Sequence, residues 1–97
     1  MEDFLRNPRK LRERTPSGWY GLFQENGYGP RPLGRGSLAG VAFEDGGGYR
    51  VNWDSNKLFL YHPEKRSHHG GAYYKLSSGV KTARYDLNGM PLKGEEA

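Results

Sequence analysis

Six residues constrain this chain more than any others. Tyr49-Arg50-Val51-Asn52-Trp53-Asp54 alternate apolar and polar without a break, directly after Gly46-Gly47-Gly48. Successive side chains of a strand point to opposite faces, so Tyr49, Val51 and Trp53 share one face and Arg50, Asn52 and Asp54 the other. Asp54-Ser55-Asn56-Lys57 reads as a tight turn, because Asp and Asn bond their own backbone and tolerate unusual φ. Residues 57 to 62 then return with Leu58, Phe59, Leu60 and Tyr61 apolar on both faces. That pattern marks a strand inside a sheet, covered on one side by the N-terminal segment. Pro63 ends it.

The remaining punctuation extends the hairpin into a meander. Residues 39 to 44 read as a first strand, residues 72 to 77 and 80 to 87 as two further ones joined near Ser78-Gly79, and Asn88-Gly89 as a turn. In 72 to 77 the face with Tyr73, Lys75 and Ser77 opposes the face with Ala72, Tyr74 and Leu76. In the last strand Thr82, Arg84 and Asp86 alternate with Ala83, Tyr85 and Leu87. With Tyr74, Leu76, Tyr85 and Leu87 turned to the core, Lys75, Ser77, Thr82 and Arg84 are expected together on the open face.

Upstream, a short helix is expected from about residue 8 to 14, stopped by Pro16-Ser17-Gly18. Residues 17 to 40 read as irregular, with Trp19, Tyr20, Leu22 and Phe23 as an apolar anchor. Asn26 to Gly36 is loop chemistry rather than a dinucleotide fingerprint, since no strand leads in, no helix follows and two prolines interrupt it. The expected fold class is α+β: a short N-terminal helix packed on a four- to five-stranded antiparallel meander sheet. It forms one domain, with residues 1–38 packing on a β core of 39–90 and a tail at 91–97.

Charge narrows the partners. The 97 residues carry a net charge of +4. Between residues 57 and 84 lie Lys57, Lys65, Arg66, Lys75, Lys81 and Arg84 against the single acid Glu64. Such a zone favours an anionic partner. The chain has no cysteine, which excludes disulfides and thiolate metal sites. No apolar run approaches a membrane span, and the first residues lack the core of a signal peptide, so no membrane role is expected.

All three histidines, His62, His68 and His69, fall between residues 61 and 77 with Glu64, Lys65, Arg66, Lys75 and three tyrosines. His62 closes one strand and His68 or His69 precedes the next, so they can meet at one rim of the basic face. This set suits phosphodiester cleavage without a metal or other cofactor. One His takes the 2′-hydroxyl proton, and a second His or Lys75 protonates the leaving oxygen. Lys75 and Arg84 stabilise charge on the phosphoryl oxygens. Arg50, Lys65, Arg66, Ser77 and Thr82 are candidates to bind substrate, and of Tyr73 and Tyr74 one is expected in the core and one against RNA bases. A metal site from the histidines with Glu64 or Asp54 is the rival, but adjacent His pairs rarely both ligate one ion and the local cations repel it.

The runs Gly48 to Trp53, Tyr61-His62-Pro63, His68 to Ser77 and Arg84-Tyr85-Asp86-Leu87-Asn88-Gly89 resemble the C-terminal toxin domains of bacterial polymorphic and contact-dependent toxins. They are similar to the compact ribonucleases grouped with barnase, colicin nuclease domains and RelE. The resemblance spans residues 40 to 90. It implies a small basic α+β endoribonuclease used in bacterial competition, active without a metal, monomeric, and neutralised by an acidic immunity protein. It further implies secretion within a larger protein and action in a target-cell cytoplasm. His62 with His68 or His69 would do the acid–base work, with Lys75 and Arg84 at the phosphate. The chain departs from the barnase pattern in having no strand carboxylate placed as a base, Glu64 being the only acid nearby. The alternative is a non-catalytic nucleic-acid-binding or protein-interaction β module with the same face.

Overall fold

The computed structural model describes residues 7–36, 38–54, 57–63, 72–79 and 81–92. A 3₁₀ helix at Pro8–Glu13 leads into the helix α1, Pro16–Glu25. Four strands follow, β1 (Tyr49–Asp54), β2 (Lys57–His62), β3 (Tyr73–Ser77) and β4 (Thr82–Tyr85), hydrogen-bonded in sequence order as an antiparallel sheet. The architecture is α+β, a helix on one face of a four-stranded meander.

The helix lies later than the sequence reading placed it. Residues 8 to 13 are 3₁₀, and the α-helix occupies the stretch read as irregular. Thr15-Pro16 is a start signal and not a stop: the Thr15 hydroxyl accepts from the Gly18 N–H at 3.1 Å, and Pro16 fills a first-turn position that needs no donor. Asn26-Gly27-Tyr28 close the helix. Gly27 takes φ +78° and donates to the Gln24 carbonyl, while the Tyr28 N–H reaches Phe23 O at 3.0 Å. This pair of bonds is a Schellman motif, and its usual apolar contact is the edge-to-face pair of Phe23 and Tyr28, 6.2 Å between centroids. Trp19 and Phe23, one turn apart, face the sheet and are buried.

The strand expected at residues 39 to 44 does not form. Residues 38–40 make a turn and Phe43–Asp45 a 3₁₀ turn. The backbone bonds there close locally: the Ala42 carbonyl accepts from both Asp45 (2.9 Å) and Gly47 (3.0 Å), which leaves no ladder to extend. The β core therefore begins at Tyr49. Gly48, just before it, has no room for a side chain, because a Cβ would overlap the Tyr61 carbonyl and press on Leu33.

Register sorts the two faces. Tyr49 pairs with Tyr61, Val51 with Phe59, Phe59 with Leu76, Tyr61 with Tyr74 and Tyr74 with Tyr85, so these rings meet on one face. Together with Leu11, Trp19 and Phe23 they make the core. The rings pack closely: Phe23 to Phe59 at 4.8 Å, Phe59 to Tyr74 at 5.1 Å, Tyr20 to Phe43 at 4.7 Å. Aromatic burial supplies most of the apolar area available to so small a domain. Trp19 donates its indole N–H to Leu11 O at 3.0 Å, pinning the 3₁₀ helix to α1.

Both sheet edges are covered by short bridges. Arg31 pairs with Arg50 outside β1, and Pro91 with Tyr85 outside β4, where the Leu92 N–H also bonds Arg84 O at 3.1 Å. Each bridge occupies part of an edge and shortens the stretch open to pairing with another chain.

Two buried phenols behave differently. The Tyr49 hydroxyl donates to Pro16 O at 2.7 Å and ties β1 to the start of α1. The Tyr74 hydroxyl is buried with no hydrogen-bond partner among the described residues. Tyr49→Phe is therefore expected to lower stability by about 1 kcal/mol, and Tyr74→Phe to leave it unchanged or raise it by up to about 1 kcal/mol, read from denaturant midpoints. Burial raises both phenols well above the ordinary value of 10.0, and neighbouring phenols add to it, Tyr74 and Tyr61 at Tyr49 and Tyr61 at Tyr74. The unfolded chain loses these protons near pH 10 while the folded one keeps them. Their contribution is complete below about pH 10 and declines above it, so thermal midpoints should fall from there upward. Tyrosinate absorbance from these two rings should appear only together with unfolding.

Candidate nucleic-acid interface

The face away from α1 carries the polar half of each strand. Asn52, Leu58, Ser77 and Thr82 form one cross-strand row; Arg50, Leu60, Lys75 and Arg84 form the next; His62 and Tyr73 form a third. The pairing brings Lys75 beside Arg84 and Ser77 beside Thr82, on the one face the alternation had assigned them. The Ser77 and Thr82 hydroxyls are 2.8 Å apart and hydrogen-bond each other, holding the ends of β3 and β4 in register.

One cleft of about 540 Å³ opens on this face. Its wall on one side is the loop Leu33-Gly34-Arg35-Gly36, and its floor is Leu58 and Leu60 of β2. Arg50, His62, Tyr73 and Lys75 stand around that floor. Leu33 is buried at 4% exposure and anchors the loop, whose Gly34 lies against the Arg50 guanidinium. Arg35 and Arg50 are exposed and Lys75 half-buried, so the cleft is apolar at the bottom and cationic at the rim. A site of this kind accepts a flat apolar group and an anion together.

His62 ends β2 and is held in a defined pose. Its ring stacks on that of Tyr73 at 5.2 Å with planes 4° apart, the cross-strand partner reaching back over the last pair of the ladder. Nδ1 lies 3.3 Å from Pro63 O. A carbonyl can only accept, so the contact is satisfied with a proton on Nδ1, and in the neutral ring Nε2 is then the nitrogen open to a proton. Tyr73 is 7% exposed, so it positions the imidazole more than it offers a face to solvent, whereas Tyr74 lies in the core.

Of the residues singled out from sequence, Arg50, His62, Tyr73 and Lys75 line this cleft, and Arg84, Ser77 and Thr82 continue the same face beyond it. Lys65, Arg66, His68 and His69 lie outside the described residues, as does Glu64. For the rival metal set of the three histidines with Glu64 or Asp54, only the His62 side chain is described. The sequence reading missed the apolar floor and the loop cations. Leu58 and Leu60 were read only as burial on a second face, yet that face has no covering layer of α-helix or sheet among the described residues. Arg31 and Arg35 sat in a stretch read as turn chemistry alone, although Arg31 bridges Arg50 between two restraining prolines and Arg35 lines the cleft.

Among the described residues no helix is long and apolar enough to cross a membrane. No family model, curated protein or solved structure matches the chain.

Proposed function

We propose that this domain is a metal-independent endoribonuclease whose substrate lies across the open sheet face. The observation that carries the reading is the cleft in which His62, its Nδ1 on the Pro63 carbonyl, is gathered with Arg50 and Lys75 over Leu58 and Leu60. A ribonucleotide brings groups matched to each part: a base face for Leu58 and Leu60, a phosphate for the cations, and a 2′-hydroxyl whose proton a neutral imidazole can take.

In the reaction so derived, the 2′-oxygen attacks phosphorus as its proton passes to His62 Nε2. The P–O5′ bond breaks, and the 5′-oxygen receives a proton from a second group. Lys75 is the donor within the cleft, and His68 and His69 are the others in the chain. The products are a 2′,3′-cyclic phosphate and a 5′-hydroxyl end. Arg50, Lys75 and Arg84 hold the phosphoryl oxygens as negative charge builds in the transition state. Tyr73 acts on the imidazole by stacking and fixes its orientation. The resemblance to toxin ribonucleases adds a biological setting. An acidic immunity protein would have to cover the same cation row, as charge complementarity at an interface requires.

A second reading, a binding module without cleavage, has one observation in its favour: His62 is engaged through both its ring face and Nδ1, as a structural histidine would be. Purified domain incubated with total RNA in EDTA separates the two. Discrete fragments ending in cyclic phosphate are expected, with His62→Ala slower by about 10²- to 10⁴-fold and Lys75→Ala also impaired. Intact RNA with retained, salt-sensitive binding would leave the binding module. Thermal melts of each variant establish that the fold is kept.

A further inference from the structure

The most unusual contact in the sheet lies at the edge of the cleft, where Arg50 also lines a second, smaller hollow. Arg31 and Arg50 are bridge partners that exchange both backbone bonds, Arg31 N–H to Arg50 O at 3.0 Å and Arg50 N–H to Arg31 O at 2.8 Å. Partners in such a bridge project their side chains to the same side, so both arginines leave the backbone on one face. Both residues are exposed, and both line a hollow of about 200 Å³ with Tyr28, Gly29 and Asn52, none of them acidic. Among the described residues neither has an ion pair with a carboxylate. Like charges directly opposed in a sheet are destabilising. Here the backbone fixes the opposition, since Pro30 and Pro32 restrain the chain on either side of Arg31. Two such forks, each with a planar array of donors, match the oxygens of a phosphate.

The pair also lies at the end of a line. Arg31 is opposite Arg50, Arg50 opposite Leu60, Leu60 opposite Lys75 and Lys75 opposite Arg84. With neighbouring strands ~4.8 Å apart, this row is ~19 Å long and runs perpendicular to the strands. At the 3.4 Å axial rise of a stacked strand it accommodates roughly three to six nucleotides, depending on how extended they are. We propose that Arg31 and Arg50 form a phosphate subsite at the β1 end of this row, and that the ligand is a single-stranded RNA segment crossing all four strands rather than one nucleotide. The inference rests on the ribonuclease reading for the identity of the ligand, while the subsite rests on the bridge itself. Single strands are favoured over duplex because the apolar floor of the cleft takes an unstacked base.

The test is binding of fluorescent 2′-O-methyl oligonucleotides, which lack the free 2′-hydroxyl and cannot be cleaved, measured against salt. Wild type should bind an 8-mer much more tightly than a 2-mer. Arg31→Gln should weaken the 8-mer roughly tenfold and lower the salt slope by about 0.7, the value for one lost single-strand contact, with 2-mer binding unchanged. The same variant should melt at an equal or higher temperature at low salt, since it relieves the like-charge pair. An Arg31→Gln variant that folds but binds the 8-mer with the wild-type affinity and slope overturns the subsite. So does wild-type preference for a duplex of equal length, or no binding of the 8-mer at all. If the slope falls as expected and unmodified RNA stays uncut, the phosphate subsite stands and the ribonuclease reading fails. RNA that is cut, with Arg31→Gln without effect on the slope, gives the reverse.

Discussion

The register of four short strands decides everything else in this molecule. With a period of two, pairing Tyr49 with Tyr61 and Tyr61 with Tyr74 sends a band of aromatic rings to one face and Arg50, Lys75 and Arg84 to the other. A slip by one residue would bury three cations beneath Trp19 and expose the rings. Desolvating a cation costs several kcal/mol, so the alternative is closed to a domain of this size, whose total stability is about 5–15 kcal/mol. The aromatic core fixes the register, and the register lays out the basic face. The two are one constraint seen from opposite sides of the sheet.

That linkage explains which parts were legible in the sequence. The alternation in Tyr49 to Asp54, and the offset of Lys75 and Arg84 from Tyr74 and Tyr85, are local patterns that gave the faces and the gathering of Lys75, Ser77, Thr82 and Arg84, although the last strand, read as 80 to 87, spans only Thr82–Tyr85. The helix was misplaced because Thr15-Pro16 is ambiguous: proline both forbids helix interiors and favours first turns. Reading Asn26-Gly27 as its close, ten residues on, would have resolved the ambiguity. The false strand at 39 to 44 came from apolar residues that in fact serve as a lid, Phe43 packing on Tyr20 and Tyr49 without joining the ladder. The Arg31–Arg50 bridge could not be read at all, since it joins residues nineteen apart through a segment with no strand pattern.

The phenols differ in how far their surroundings satisfy the hydroxyl. Tyr49 closes its hydroxyl on the Pro16 carbonyl, and Tyr20 donates to Glu44 Oε1 at 3.1 Å; burial and the nearby carboxylate both raise the Tyr20 pKa and so suppress its ionisation. Tyr74 has no such outlet among the described residues. A phenylalanine there would pack the same ring, so the hydroxyl is explained neither by volume nor by hydrogen bonding.

The basic face has an energetic logic of its own. Arg31 and Arg50, directly opposed as a hydrogen-bonded pair, repel one another in the free domain, and Lys75 and Arg84 extend the same transverse row. Repulsion held by backbone bonds cannot relax by rotating strands apart. It can relax by binding an anion, and the free energy recovered then appears as affinity, which makes folding and ligand binding linked equilibria. The sheet thus keeps its cations in place before any ligand arrives, in the manner that makes preorganised charge effective. Behind that face Phe59 and Leu76 are fully buried, and their close packing holds the strands in the register that opposes the cations.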